Sequence, residues 1–153
     1  MRSKLPQKIS KQGDQYRKPG LWLSPNNSAL HYDSYDNDGK RYGEPLNNFF
    51  EVKDQWIHIT WVKQGIEYRF YRNGQLFATK PAPDSFYTNK HSSYWIGKAD
   101  TFWDGQIAEF AIWNYARSVD EIQANLYENL TGNESGLIGY WPFNEGAGRM
   151  VKS

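Results

Sequence analysis

The stretch from Trp56 to Thr79 restricts the fold more than any other part of the chain. In Trp56-Ile57-His58-Ile59-Thr60-Trp61-Val62, the apolar residues Ile57, Ile59 and Trp61 fall on one face. That spacing belongs to a half-buried strand. Lys63-Gln64-Gly65 turns the chain into Glu67-Tyr68-Arg69-Phe70-Tyr71. Asn73-Gly74 then supplies the two positive-φ residues of a type I′ turn, which sends Gln75–Thr79 back antiparallel.

The rest of the chain reads the same way. Leu21-Trp22-Leu23, the turn Ser24-Pro25-Asn26-Asn27 and Ala29-Leu30-His31-Tyr32 form a second hairpin. Asp33–Gly43 holds three Asp, one Asn and two Gly and is expected to be a loop, as is Pro81–Asn89. Tyr94–Gly97 and Gln106–Trp113 are expected strands separated by Lys98–Gly105. One helix interrupts them. Ser118 with Glu121 three residues on is a capping box, with Val119, Ile122 and Leu126 on one face and a stop near Gly132. A last strand, Leu137–Trp141, ends at Pro142. The class is all-β with one short helix.

Composition says what fills such a fold. The 153 residues suit one domain. Leu, Ile, Val and Phe make up only 30 of them, a fraction at the border of disordered chains. Seven Trp, 11 Tyr and eight Phe restore the missing apolar surface, so the core is expected to be aromatic. Lys+Arg 18 against Asp+Glu 17 leaves no basic excess for a phosphate backbone, which argues against nucleic acid as a partner. No apolar run is long enough for a membrane span. The absence of Cys removes disulfides and thiol chemistry without fixing the compartment, and Met1–Ser10 lacks the apolar stretch of a signal peptide.

Three phrases, taken in order, resemble the laminin G-like and pentraxin-like jelly rolls of the concanavalin A-like superfamily. The first is Trp56–Trp61 followed by the strand ending in Asn73-Gly74. The second runs from Ile96-Gly97 through Gly105-Gln106-Ile107-Ala108-Glu109-Phe110-Ala111-Ile112-Trp113-Asn114 to Ala116-Arg117-Ser118 and Glu121-Ile122. The third is Gly136-Leu137-Ile138-Gly139-Tyr140-Trp141-Pro142-Phe143-Asn144-Glu145-Gly146. The resemblance implies a two-sheet antiparallel jelly-roll sandwich over residues 1–153, in which aromatic and β-branched residues from both sheets face inward. Such domains have one or two strands ahead of the segment matching Gln7–Lys11, so the chain is expected to be a piece of a longer protein or a truncated product. A sheet edge left open there would make it self-associate.

Function follows by the same resemblance, since these sandwiches host lectins, adhesion modules, enzymes and scaffolds. Glycosidases of this fold carry acids at alternate positions of one strand, whereas Glu67 and Glu109 have no acidic neighbour at i±2 or i±4. Asp120 and Glu121 favour a helix start, and Asp33, Asp36 and Asp38 fall in the expected loop. His58 reads as a core or edge imidazole, and His31 and His91 fit no Ser–His–Asp pattern. No catalysis is expected.

Two binding chemistries remain. The resemblance also implies calcium, a hard cation that such domains hold in loops through oxygen ligands. Asp14 and Asp100 fall near the family's two acidic loop positions, although Lys98 and Ala99 replace oxygen donors beside Asp100. Glycans would stack on exposed rings, with nearby carboxylates fixing their hydroxyls. Trp56, Trp61, Trp95, Trp113 and Trp141 are assigned to sheet packing. Trp103 lies between Asp100 and Asp104 in an expected loop, and Tyr35 and Tyr42 are further loop aromatics. The expected function is non-catalytic recognition of a glycan or glycoprotein surface. The alternative is a structural or protein-interaction module in an extracellular, cell-surface or particle-associated protein.

Overall fold

The computed structural model describes residues 18–23, 28–51, 55–87, 96–97 and 105–144. They belong to two compact units, residues 1–94 and 95–153.

In the first unit, β1 (Gly20–Leu23), β2 (Leu30–Tyr35) and β3 (Arg41–Leu46) form one antiparallel sheet in that order. A second antiparallel sheet has β4 (Ile59–Gln64), β5 (Glu67–Arg72) and β6 (Gln75–Pro81). The Asn73-Gly74 turn is found as expected, with φ of 49° and 74°. Its asparagine also clamps the entry to β4: Asn73 N–H donates to the His58 carbonyl at 2.9 Å, and His58 N–H donates to Asn73 Oδ1 at 2.9 Å. A bulge at Phe70/Tyr71 shifts the β5–β6 register.

The two sheets pack face to face on rings. Leu30, Tyr32 and Leu46 of the first sheet meet Tyr68 and Phe70 of the second, with Phe49 and Ala82 filling between them. The Tyr32 centroid lies 4.7 Å from that of Phe70, 5.8 Å from Tyr68 and 6.1 Å from Trp61. Phe49 stands edge-on to Phe77 at 4.8 Å. Each such ring contributes on the order of 1.5–3 kcal/mol by burial. Ile57, Ile59 and Trp61 line the margin of this core, as their spacing predicts. The core of this unit is aromatic, and the unit is an antiparallel two-sheet sandwich.

One expectation fails here. Asp33–Gly43 is not a loop, because β2 continues to Tyr35, β3 begins at Arg41, and only residues 36–40 turn. The polar side chains that suggested a loop each find a partner. Asp33, 3% exposed, accepts from Arg41 Nε at 2.8 Å. Ser34 Oγ lies 2.8 Å from the Tyr68 hydroxyl. Trp56 is a second correction: it stands just ahead of β4 and is 65% exposed instead of packing. His58 is likewise exposed, its Nδ1 3.4 Å from Thr60 Oγ1.

The second unit contains β7 (Phe110–Trp113), α1 (Val119–Ala124) and β8 (Leu137–Trp141), with β7 and β8 paired antiparallel. The capping box is complete. Ser118 Oγ accepts from Glu121 N–H at 3.3 Å, and Glu121 Oε2 accepts from Ser118 N–H at 2.7 Å. Ile122 is buried while Val119 is exposed. The helix stops at Ala124, well before Gly132. Arg117, stacked 4.2 Å from the Trp113 ring, donates to the Glu121 carbonyl at 2.8 Å and to Asn125 Oδ1, taking acceptors at the helix end. The expected strand over 106–113 shrinks to β7 because Glu109 takes φ 53°, which breaks an extended run. Ile96–Gly97 is a bend, with φ 74° at Gly97, and Tyr94 and Trp95 lie outside the described residues. β8 ends at Trp141, immediately before Pro142.

Candidate functional site

Trp103, Asp100, Asp104 and Asp14 lie outside the described residues. Tyr35 and Tyr42 are described, and they are strand residues, not loop aromatics. Tyr42 packs against the core cluster, with Lys40 Nζ 4.9 Å from its ring centroid. Tyr35 ends β2, and its carbonyl accepts from Tyr87 N–H at 2.7 Å. Both are half-buried.

The acids nearby are occupied by structure. Asp36 Oδ1 accepts the N–H groups of Asp38 and Lys40, at 3.0 and 2.8 Å, and so closes the β2–β3 turn. Glu67 pairs with Arg69 Nε at 2.6 Å and Glu44 with Lys80. Among the described residues, no three His, Asp or Glu side chains gather as a metal ion would need. On the first sheet, Trp22 and His31 stand opposite each other in register and stack at 5.7 Å with 16° between planes. Burial, then the charge of Arg41, holds His31 below the usual imidazole pKa.

The second unit carries an open groove of about 470 Å3 where β7 and β8 diverge. Its base is one step beyond the last ladder pair, Phe110 with Trp141. There Glu109 N–H donates to the Pro142 carbonyl at 3.3 Å, and the Tyr140 hydroxyl donates to Glu109 Oε1 at 3.2 Å. Both chains then leave the sheet through left-handed residues, Glu109 at φ 53° and Phe143 at φ 52°. Such backbone at non-glycine residues costs on the order of 1–3 kcal/mol each and concentrates at ligand sites. Partial burial, then the Glu109 charge, raises the Tyr140 pKa, so the phenol stays a donor.

Asn129 and Leu130 line the groove from the segment after α1, and Asn144 from the segment after β8. The segment following Leu130 is held by Glu134. Its carboxylate accepts from Thr131 N–H at 2.6 Å, Thr131 Oγ1 at 2.9 Å and Gly132 N–H at 3.0 Å, which lowers its own pKa. The groove thus offers two aromatic rings (Tyr140, Phe143), one carboxylate and two carboxamides. Its volume falls in the range of roughly 300–1,000 Å3 common for small-molecule sites.

Sequence reasoning missed this arrangement. Glu109 registered only as an isolated strand acid and Tyr140–Asn144 only as part of a family phrase. The two meet because β7 and β8 pair across 31 positions.

A crystal structure of an S-layer domain-containing protein from Clostridium thermocellum is similar at 16% identity, over 82% of this chain and 70% of that one, with a TM-score of 0.44. That likeness is too distant to bear on what this chain binds. No curated protein matches the sequence. The family profile described as the concanavalin A-like lectin/glucanases superfamily, of laminin G type, matches residues 5–123. With most of its length matched, and with an aromatic-cored antiparallel sandwich, the chain belongs to the concanavalin A-like lectin/glucanases superfamily.

Proposed function

We propose that this chain is a non-catalytic binding module that recognises a carbohydrate or a glycosylated surface, with residues 1–153 acting as one domain. The observation that carries this reading is the groove between β7 and β8. Its rings can stack on the C–H face of a sugar, and its carboxylate and amides can take the hydroxyls.

The family name covers lectins and glucanases alike. Glycoside hydrolysis ordinarily needs two carboxyl groups flanking the bond, about 5–5.5 Å apart for retention and about 6.5–9.5 Å for inversion. Glu109 is the one acid among the described residues that line the groove, which favours binding over cleavage. A cell-surface or extracellular setting suits the reading.

The test is retention on a glycan array, with a parallel search for released sugar. Retention of at least one glycan class, reduced by Tyr140→Ala and without hydrolysis, is the expected outcome. No retention on any glycan, together with a stable complex with a protein partner, would replace this reading with a protein-interaction module.

A further inference from the structure

We infer that the groove selects neutral sugars and that Glu109 sets this selection by excluding anionic ones. The inference rests on the carbohydrate reading and adds to it the class of sugar.

Charge carries the argument. Around Glu109, the lining comes from Asn129, Leu130, Tyr140, Phe143 and Asn144, with Ala108 and Pro142 at the margin. Among these described lining residues there is no Lys, Arg or His. A uronate, sulfate or sialate held against them would face the Glu109 carboxylate, and like charges a few ångströms apart repel. A carboxylate also accepts only, so it suits a ligand whose edge is made of O–H donors. The amides of Asn129 and Asn144 can both donate and accept, which suits hydroxyls of either orientation.

The backbone of Glu109 is set in the left-handed region and bonded to Pro142, and its Oε1 accepts from the Tyr140 hydroxyl at 3.2 Å. That bond favours the conformer that keeps the carboxylate beside the groove. Tyr140 is therefore a positioning residue for Glu109 as well as a stacking ring.

The test compares the whole chain with neutral oligosaccharides and with the same backbones carrying uronate, sulfate or sialate, at one ionic strength. The wild type is expected to favour the neutral member by about tenfold or more. Glu109→Gln should shrink that ratio, because it removes the charge while neutral and anionic sugars lose the same carboxylate acceptor, and Glu109→Lys should invert it. Tyr140→Phe keeps the ring but frees the carboxylate, so it should reduce the ratio more than it reduces neutral affinity. Circular dichroism and melting establish that each variant is folded. A wild type that prefers anionic sugars, or a ratio unchanged by Glu109→Gln in a folded protein, overturns the inference while leaving carbohydrate binding intact. A wild type that retains no glycan overturns the carbohydrate reading and this inference with it.

Discussion

The hydroxyl of Tyr68 lies 2.8 Å from Ser34 Oγ, with both side chains fully buried where the two sheets of the first unit meet. Ser34 Oγ donates onward to the Tyr42 carbonyl at 3.2 Å, so Tyr68 is the donor in the shared bond. The roles are unequal, and so are the consequences of removing either partner. Ser34→Ala leaves a buried phenol with no acceptor and should cost about 1–3 kcal/mol. Tyr68→Phe leaves Ser34 still bonded to Tyr42 and should cost about 0.5–1.5 kcal/mol. Urea unfolding of both variants checks the order; a costlier Tyr68→Phe would contradict the donor assignment.

Gly43 sits opposite Asp33 in the β2–β3 register. A Cβ there would stand 2.5 Å from Asp33 Oδ1 and 2.6 Å from the Tyr32 carbonyl. The second of these is backbone, so it cannot be relieved by a rotamer change. Gly43→Ala should therefore destabilise by about 1–3 kcal/mol, the range for overpacking, in spite of alanine's greater preference for regular structure. A thermal melt no lower than wild type would exclude the clash.

The short helix depends on its first turn. Ser118→Ala removes the acceptor for Glu121 N–H and half of the capping box. The expected loss is about 0.5–2 kcal/mol. Hydrogen exchange should show it as faster exchange at Glu121 and Ile122, with the amides of β4 to β6 unchanged.

Alkaline pH should weaken the first unit. Burial, then the charge of Glu44, pushes the Tyr32 phenol up to about 12, and burial pushes Tyr68 higher still. An unfolded tyrosine titrates near 10, so the folded state holds these protons more tightly. Their contribution is complete below about pH 10 and is lost as pH rises towards and past the folded values. The urea midpoint should fall steeply above roughly pH 10, and Tyr32→Phe should make the fall shallower. A midpoint flat to pH 12 would contradict the assignment.

What was legible in the sequence was local. Asn73-Gly74 tolerates left-handed backbone by itself, Ser118 and Glu121 are within one helical turn, and Pro142 ends a strand by lacking an N–H. Each needs only near neighbours, and each is found as expected. Asp33–Tyr35 and Arg41–Gly43 misled because a strand with a buried acid and serine looks like a loop until its partners are known. Those partners include Tyr68, 34 positions away. Trp56 misled in the opposite direction: it shares a phrase with Ile57 and Trp61, yet it stands on the exposed side while they line the core.

By its own pattern, the sequence determined an antiparallel β class, an aromatic core and the position of a capped helix, because alternation, ring content and capping act over a few residues. Tertiary structure alone decided which polar side chains could be buried and where rings, amides and a carboxylate would converge. Glu109 and Tyr140 belong to one groove only because two distant strands pair and then part. Spacing along the chain carries no trace of a distance set by hydrogen bonds between strands.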